Sequence, residues 1–506
     1  MRWRERWHLL VPAILAAVVR LPAVSNGLPY VSHPDEPKNY LVIHEMISRR
    51  SALPRFYNYP SLFFELEAVA HAAAMALLKL VGSDQSLGMA LGGTIGGRLA
   101  QSSFAWVVAR LVVLGVSVAG VLVAARLAER LTGSRLAAGV AGVLAALSTI
   151  SIASGSVITP DALAGTLSLC AIASAVRVFS LPDTDRDRLR WALRTGVLLG
   201  LAVSAKYNTV ALALPITLAL VITIRGDRRF GWRPVAIVAG AAIAAFIATT
   251  PGLVLDNARF MYDVRHELDH YRTGHAGAEG NSFVSNLGFL WGSEGLAVVL
   301  ALAGLWLRRS RALLVLWSWP VAYLIAIGFA EVRFARNLTP IIGVVAVLAG
   351  CTAHEIARRV QHRKSIAILI VASLAPLMVV QTVDVGARLR KDFTDYQRDA
   401  RDWMEEHVPP GAHVLAEYYT PFLDPGVWNV DPVDSSLDEP NAIDTYDVVI
   451  LTSGGAGRYL RDPSRYPNQV ARIAALRDQA CRVERYEDDF GFWVDVLVMN
   501  CAADEG

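Results

Sequence analysis

The chain is punctuated by apolar runs close to 20 residues long, the length of helix that spans about 30 Å of hydrocarbon. After a first run from Leu9 to Val24, others lie at about 103–125, 136–157, 160–180, 235–255, 288–307, 312–330, 338–353 and 365–382. A water-soluble core has no room for so many continuous apolar segments, so the runs predict a polytopic all-α membrane bundle. Composition agrees: of 506 residues, 54% are hydrophobic and 18% charged, and mean hydropathy is +0.39. A disordered chain, a disulfide-stapled miniprotein and a nucleic-acid binder are poor fits, because the arginines cluster between apolar runs and not on one soluble face.

Those clusters set an orientation. Arg126, Arg130 and Arg135, then Arg186, Arg188, Arg190 and Arg194, then Arg225, Arg228, Arg229 and Arg233, then Arg308, Arg309 and Arg311, then Arg358, Arg359, Arg363 and Lys364 all fall in loops. The positive-inside rule places them in the cytoplasm together with Arg2, Arg4 and Arg6, so the first run is a retained helix whose amino end is cytoplasmic. Both ends of the stretch from Arg194 to Arg225 then lie on one side, which requires two short helices meeting near Lys206. The stretch from Pro60 to Val81 is long enough to cross but contains Glu65 and Glu67, each costing about 2.5–3.5 kcal/mol at a helix centre. It is expected to lie along the outer interface. The sum is eleven crossings in the plasma (inner) membrane, forming a transmembrane domain over residues 1–384 with a first external loop at 25–98.

Residues 385–506 differ in character. They hold 12 Lys/Arg against 23 Asp/Glu, a net charge of −11, leaving +14 for the remainder. Asp399–His407 and Gln469–Ala480 predict helices, and His413–Glu417 and Val448–Leu451 predict strands. Arg482–Glu487 and Phe492–Met499 predict a hairpin folded at Asp488-Asp489-Phe490-Gly491. This is an extracytoplasmic α/β domain in which Cys481 and Cys501 face each other, a pairing that an oxidising compartment permits and that competes with two free thiols. Cys170 and Cys351 fall in membrane helices as ordinary buried residues.

Candidate chemistry collects on the predicted outer side. His33-Pro34-Asp35-Glu36-Pro37 sets two adjacent carboxylates between prolines, which predicts a sharp turn projecting both from a loop; a carboxylate so placed can take a proton from an attacking hydroxyl, and two solvated loop acids are the alternative. Arg55-Phe56-Tyr57-Asn58-Tyr59-Pro60-Ser61 is aromatic and polar, as a site or as a headgroup anchor. Asp161, between two apolar runs, is either a helix cap or a second site carboxylate. Lys206, Arg333 and Arg336 are cations on the side that disfavours them, which points to an anionic partner such as phosphate, with snorkelling as the plainer reading. Of His266, His270 and His275 in one loop, the first two are one helical turn apart and could share a metal, but spacing dictates no third ligand and ordinary loop histidines are the plainer reading. Two glycine-rich stretches, 92–97 and 452–457, lack the Lys-Ser/Thr ending of a phosphate loop and are expected to be flexible connections.

In order along the chain, the Asp35-Glu36 pair, Tyr57-Tyr59-Pro60, the Pro160-Asp161 step, the segment from Gly200 to Lys206 and the segment from Arg333 to Pro340 resemble the type C glycosyltransferases. The likeness is to the protein O-mannosyltransferases and lipid A aminoarabinose transferases among them, beginning near Arg20. It implies that fold, with a soluble domain outside, and an inverting transfer of a monosaccharide from a polyprenyl-phosphate carrier to a hydroxyl acceptor. Asp35 would be the base, and Glu36 and Asp161 would orient the acceptor or a metal. Lys206, Arg333, Arg336, Tyr57, Tyr59, His33 and Arg20 would bind substrate. A divalent metal ion is the one cofactor in view. Partners are the polyprenyl-phosphate sugar, the hydroxyl acceptor and the bilayer, and not nucleic acid. Ala205 stands where many relatives place Thr, and the Arg336 region departs from the usual Arg-Tyr-Leu-Leu-Pro. A transporter of lipid-linked sugars, and an oligosaccharyl transferase or glycan polymerase, are the competing readings.

Overall fold

The computed structural model describes residues 6–25, 28, 33, 35–80, 103–180, 185–277, 280–307, 309–360, 395–417, 419–421, 423–424, 426–433, 435–439, 442–488 and 491–500. The expected run at 365–382, the glycine-rich stretch at 92–97 and Cys501 lie outside them. Cys481 is disulfide-bonded.

Among the described residues seven segments are long and apolar enough to cross a membrane. They contain α1 (Trp7–Arg20), α4 (Ser103–Thr132), α7 (Asp161–Ser180), α9 (Ala213–Gly226), α13 (Ser282–Leu307), α14 (Arg311–Gly328) and α15 (Thr339–Arg359). At three further expected crossings lie two shorter apolar helices, α5 (Arg135–Leu147) and α10 (Arg233–Ala248), and α8 (Asp185–Ala205), which is not apolar enough to count with the seven. Before α4 come α2 (Asp35–Arg49) and α3 (Leu62–Leu80), and between α10 and α13 lie α11 (Gly252–Leu255) and α12 (Asn257–Thr273).

Two runs read as single helices are broken. The run 136–157 stops at Ser148, whose hydroxyl accepts from the Ser151 amide at 3.1 Å to start α6 (Thr149–Ser154) and donates to Glu294 at 2.6 Å. A serine that can cap ends one helix and begins the next. The run 235–255 stops before Thr250-Pro251, since proline disfavours helix in the residue ahead of it. Packing within the bundle relies on small residues: a Cβ on Gly196 would strike the Val238 carbonyl of α10, and one on Gly200 the Ala242 carbonyl. This small-xxx-small spacing lets α8 and α10 approach backbone to backbone.

The soluble domain is a five-stranded sheet in the order β2-β1-β3-β5-β4. Strands β1 (His413–Glu417), β2 (Asn429–Val433) and β3 (Val448–Thr452) run parallel, whereas β4 (Arg482–Glu487) and β5 (Trp493–Val498) join antiparallel, with Arg482 opposite Val498. Helix α16 (Asp395–His407) covers one face through Ala400 and Met404, and α17 (Pro467–Gln479) the other through Ile473 and Leu476. Strand β3 is therefore buried along its whole length and β1 over all but its first residue, as their apolar runs require. The unforeseen strand is β2, Asn-Val-Asp-Pro-Val, an exposed edge where a proline is tolerated.

Candidate functional site

The Asp35-Glu36 pair does not sit in a loop. It opens α2, where carboxylates favour the positive helix end and Pro37 is tolerated in the first turn. Neighbours on a helix diverge by about 100°, so the two carboxylates part. Asp35 meets Arg336, whose guanidinium donates to its Oδ2. Glu36 turns inward to Arg110 of α4, accepting at 2.9 and 2.7 Å, and also accepts from the Ile158 amide at 2.8 Å. Its side chain is fully buried, which withholds it from any substrate. Asn39, one turn on, donates to the Ile158 carbonyl at 2.8 Å. Together they fasten α2 to the link that leads into α7.

That link delivers Asp161 to the first position of α7. Lys206, between α8 and a short 3₁₀ turn at Tyr207–Leu212, donates to Asp161 Oδ1 at 2.6 Å and to Asn337 Oδ1 at 2.9 Å. Asn337 belongs to the 3₁₀ turn Ala335–Leu338, which is held by Tyr323 donating to the Asn337 carbonyl at 2.7 Å and by Thr339 donating to the Arg336 carbonyl at 2.7 Å. This rigid turn presents Arg336, whose guanidinium also lies over the Phe334 ring. Lys206 and Asp161 are 6% and 3% exposed, against 26% and 29% for Arg336 and Asp35. The open pair is therefore Asp35–Arg336, and the buried pair supports it from beneath. Lys206 is committed to a carboxylate and an amide, and is not the free cation expected.

Burial alone would raise the Asp35 carboxyl, but Arg336, with His33 and Lys206, overrides it and holds the group below the usual carboxylate range. His33 accepts from the Asp35 amide at 3.3 Å, and burial depresses its imidazole despite the two acids beside it. Tyr59 is close enough for Asp35, Arg336 and Asp161 to act on its phenol, which burial pushes well up. Tyr271 of α12 joins the same cluster, near Lys206, Asp161 and Arg336. No local motif marks Tyr271 in the sequence.

Three expected binding residues stand elsewhere. Tyr57 is fully buried, donating its amide to Asp263 at 2.9 Å and its hydroxyl to Asp256 at 3.1 Å, so it anchors the 51–61 segment to α12. Arg20 is fully buried and donates to the carbonyls of Ala16 and Ala146. Arg333 reaches Ser285 at 3.3 Å, away from Asp35.

Among the described residues no group of three or more His, Cys, Asp or Glu side chains could hold a metal ion. The two site aspartates are each already matched to a cation, so the donor set does not fit a metal. His270 and His275 pack edge to face with ring centroids 4.7 Å apart, and Arg458 of the soluble domain donates to His275 Nδ1 at 2.9 Å. The glycine-rich stretch 452–457 is no flexible connection. It wraps the buried Glu417 carboxylate, which accepts from the amides of Thr452 (2.7 Å) and Ala456 (3.1 Å), and a Cβ on Gly455 would collide with it.

Residues 94–249 match the family model of dolichyl-phosphate-mannose-protein mannosyltransferases, a span containing Asp161 and Lys206 but not Asp35 or Arg336. The whole fold is similar to that of ArnT from Cupriavidus metallidurans bound to undecaprenyl phosphate, at 15% identity and a TM-score of 0.62, covering 99% of each chain. It is also similar to the archaeal oligosaccharyltransferase AglB from Archaeoglobus fulgidus in complex with an inhibitory peptide and a dolichol-phosphate. That match has 13% identity and a TM-score of 0.55, covering 97% of this chain and 74% of that one. No curated protein sequence matches the chain significantly.

Proposed function

We propose that this chain, a membrane glycosyltransferase by its family match and its fold, moves a monosaccharide from a polyprenyl-phosphate carrier to a hydroxyl acceptor with inversion. The observation that carries the reading is the half-open Asp35–Arg336 pair backed by the buried Lys206–Asp161 pair. The acceptor oxygen attacks the anomeric carbon, its proton passes to Asp35, and the bond to phosphate breaks with the electron pair leaving on the lipid phosphate. An aspartate cannot deprotonate a sugar or serine hydroxyl beforehand, so proton transfer accompanies attack.

Arg336 does two things in turn. Before donor binds it neutralises Asp35. An arriving phosphate competes for the same guanidinium, which suits forked contact with phosphate oxygens. As Arg336 turns to the phosphate, Asp35 loses its cation and becomes a stronger base where the hydroxyl must be activated. The charge that develops on the departing phosphate then meets a fixed donor, which favours the transition state over the ground state.

Orientation follows the arginine loops, which sit at the helix ends opposite Asp161 and Lys206. The cleft and the soluble domain face the outside of the membrane, where polyprenyl-linked sugars meet extracytoplasmic acceptors.

The test is purified protein given a radiolabelled polyprenyl-phosphate monosaccharide and a mixture of candidate acceptors. Wild type transfers label, and Asp35→Asn loses roughly 10²–10⁴-fold in rate, the usual worth of a positioned base, while retaining donor binding. Wild-type turnover by that variant overturns the assignment of the base. Unmodified label carried across vesicles would make the chain a transporter instead.

A further inference from the structure

On the side of the bundle away from Asp35, the arginines converge in an unusual way. Arg126 and Arg130 are one turn apart on α4, and Arg194 lies on α8; all three line a groove of about 520 Å³ between α4, α7 and α8. Arg177 of α7 and Arg194 both lie over the Trp191 ring, at 5.5 and 4.7 Å from its centroid. Arg177 is sixteen residues along α7 from Asp161, about 24 Å at 1.5 Å per residue, so this groove is separate from the proposed active site.

Positive charge on a cytoplasmic flank is ordinary. Some of the other flanking arginines are matched: Arg190 pairs with Asp187, and Arg358 and Arg359 with Glu355. Among the described residues none of Arg126, Arg130, Arg177 and Arg194 has a carboxylate within ion-pairing distance, and Arg177 Nε is buried with no partner. The acid next to Arg130, Glu129, accepts instead from His8 at 2.9 Å. Below the guanidiniums the groove is lined by Val123, Val197 and Leu198. A concave site with forked cations at its rim and aliphatic walls beneath matches one chemistry, a phosphate ester carrying hydrocarbon chains.

We propose that this groove binds an anionic phospholipid of the cytoplasmic leaflet, its phosphate held by Arg126, Arg130 and Arg194 and its first acyl carbons lying along Val197 and Leu198. The lipid would tie α4, α7 and α8 together at the end away from the site, neutralising charges that otherwise repel one another.

Full-length protein in neutral detergent is titrated with dioleoyl-phosphatidylglycerol, dioleoyl-phosphatidylcholine or inorganic phosphate, with thermal unfolding and native mass spectrometry as readouts. Phosphatidylglycerol is expected to raise the unfolding temperature and bind at least tenfold more tightly than phosphatidylcholine, with inorganic phosphate giving no comparable stabilisation. The triple variant Arg126→Gln/Arg130→Gln/Arg194→Gln should lose that preference. Val197→Trp, which fills the groove and leaves every charge in place, should lose it too and serves if the triple variant does not fold. Equal binding of the two lipids, stabilisation by inorganic phosphate alone, or undiminished phosphatidylglycerol binding in Val197→Trp would overturn the proposal.

Discussion

Arg336 donates to Asp35 across 301 residues of chain, in an ion pair that remains about a quarter exposed on each side. The guanidinium is the reason that Asp35 titrates below the usual carboxylate range although burial pushes it the other way. Removing the cation leaves burial to act. In Arg336→Gln the residual kcat/KM should therefore fall at a higher pH than in wild type. The acid limb should move up by about 1–3 units, the range by which a neighbouring opposite charge shifts a carboxylate. A pH–rate profile with the limb unmoved would mean that Arg336 does not govern Asp35.

Lys206 and Asp161 separate structural from catalytic charge. Lys206→Met leaves a buried aspartate without its cation, a change that costs about 3–5 kcal/mol when one partner of a buried pair is lost. Lys206→Met/Asp161→Leu removes both charges and should recover most of that stability in thermal unfolding. Transfer activity that returns with stability assigns the pair to positioning the 335–338 turn through Asn337. Activity that stays low in the stable double variant assigns it to the chemistry.

Much of the architecture was open to sequence reasoning because its signals are local. Apolar length defines a crossing, and a cation amid apolar residues, as at Lys206, demands a partner. What escaped depends on contacts far apart in the chain. That Glu36 and not Asp35 would turn inward is decided by Arg110, which lies inside an apolar run where nothing distinguishes it from a snorkelling residue. Tyr57 looked like a site aromatic because its partners Asp256 and Asp263 are about 200 residues away. Tyr271 had no pattern at all, since nothing local sets it apart from Tyr262 of the same helix, which is exposed. The resemblance points Arg20 toward substrate, but the carbonyl of Ala146, 126 residues on, accepts from it.

The two acids of the opening turn of α2 should fail in different ways. Glu36→Gln leaves Arg110 with a buried charge and should lower unfolding stability by about 3–5 kcal/mol. In the protein that remains folded, donor binding should persist. Asp35→Asn should keep wild-type stability or exceed it, because that pair is partly solvated. Equal destabilisation by the two substitutions would contradict the division of labour between them.

The contact between the soluble domain and His275, just past α12, should weaken in acid. Burial, then Arg458, hold the His275 imidazole down to about 4, so it is neutral when it accepts from Arg458. Undocked, it would titrate near 6.5. A histidine whose docked value lies below its free value binds more protons when undocked, so the stabilisation is complete above about 6.5 and is lost as pH falls toward 4. His270, packed against it and also depressed by burial, acts in the same sense, and Arg336 and Asp35 act on His275 with opposite signs. Hydrogen exchange over residues 270–277 and 456–461, corrected for intrinsic rates, should show protection declining between pH 7 and 5. His275→Gln keeps an acceptor for Arg458 without a titrating ring and should flatten most of that slope, with His270→Gln removing the remainder. An unchanged slope in the double variant would place the pH dependence in other groups.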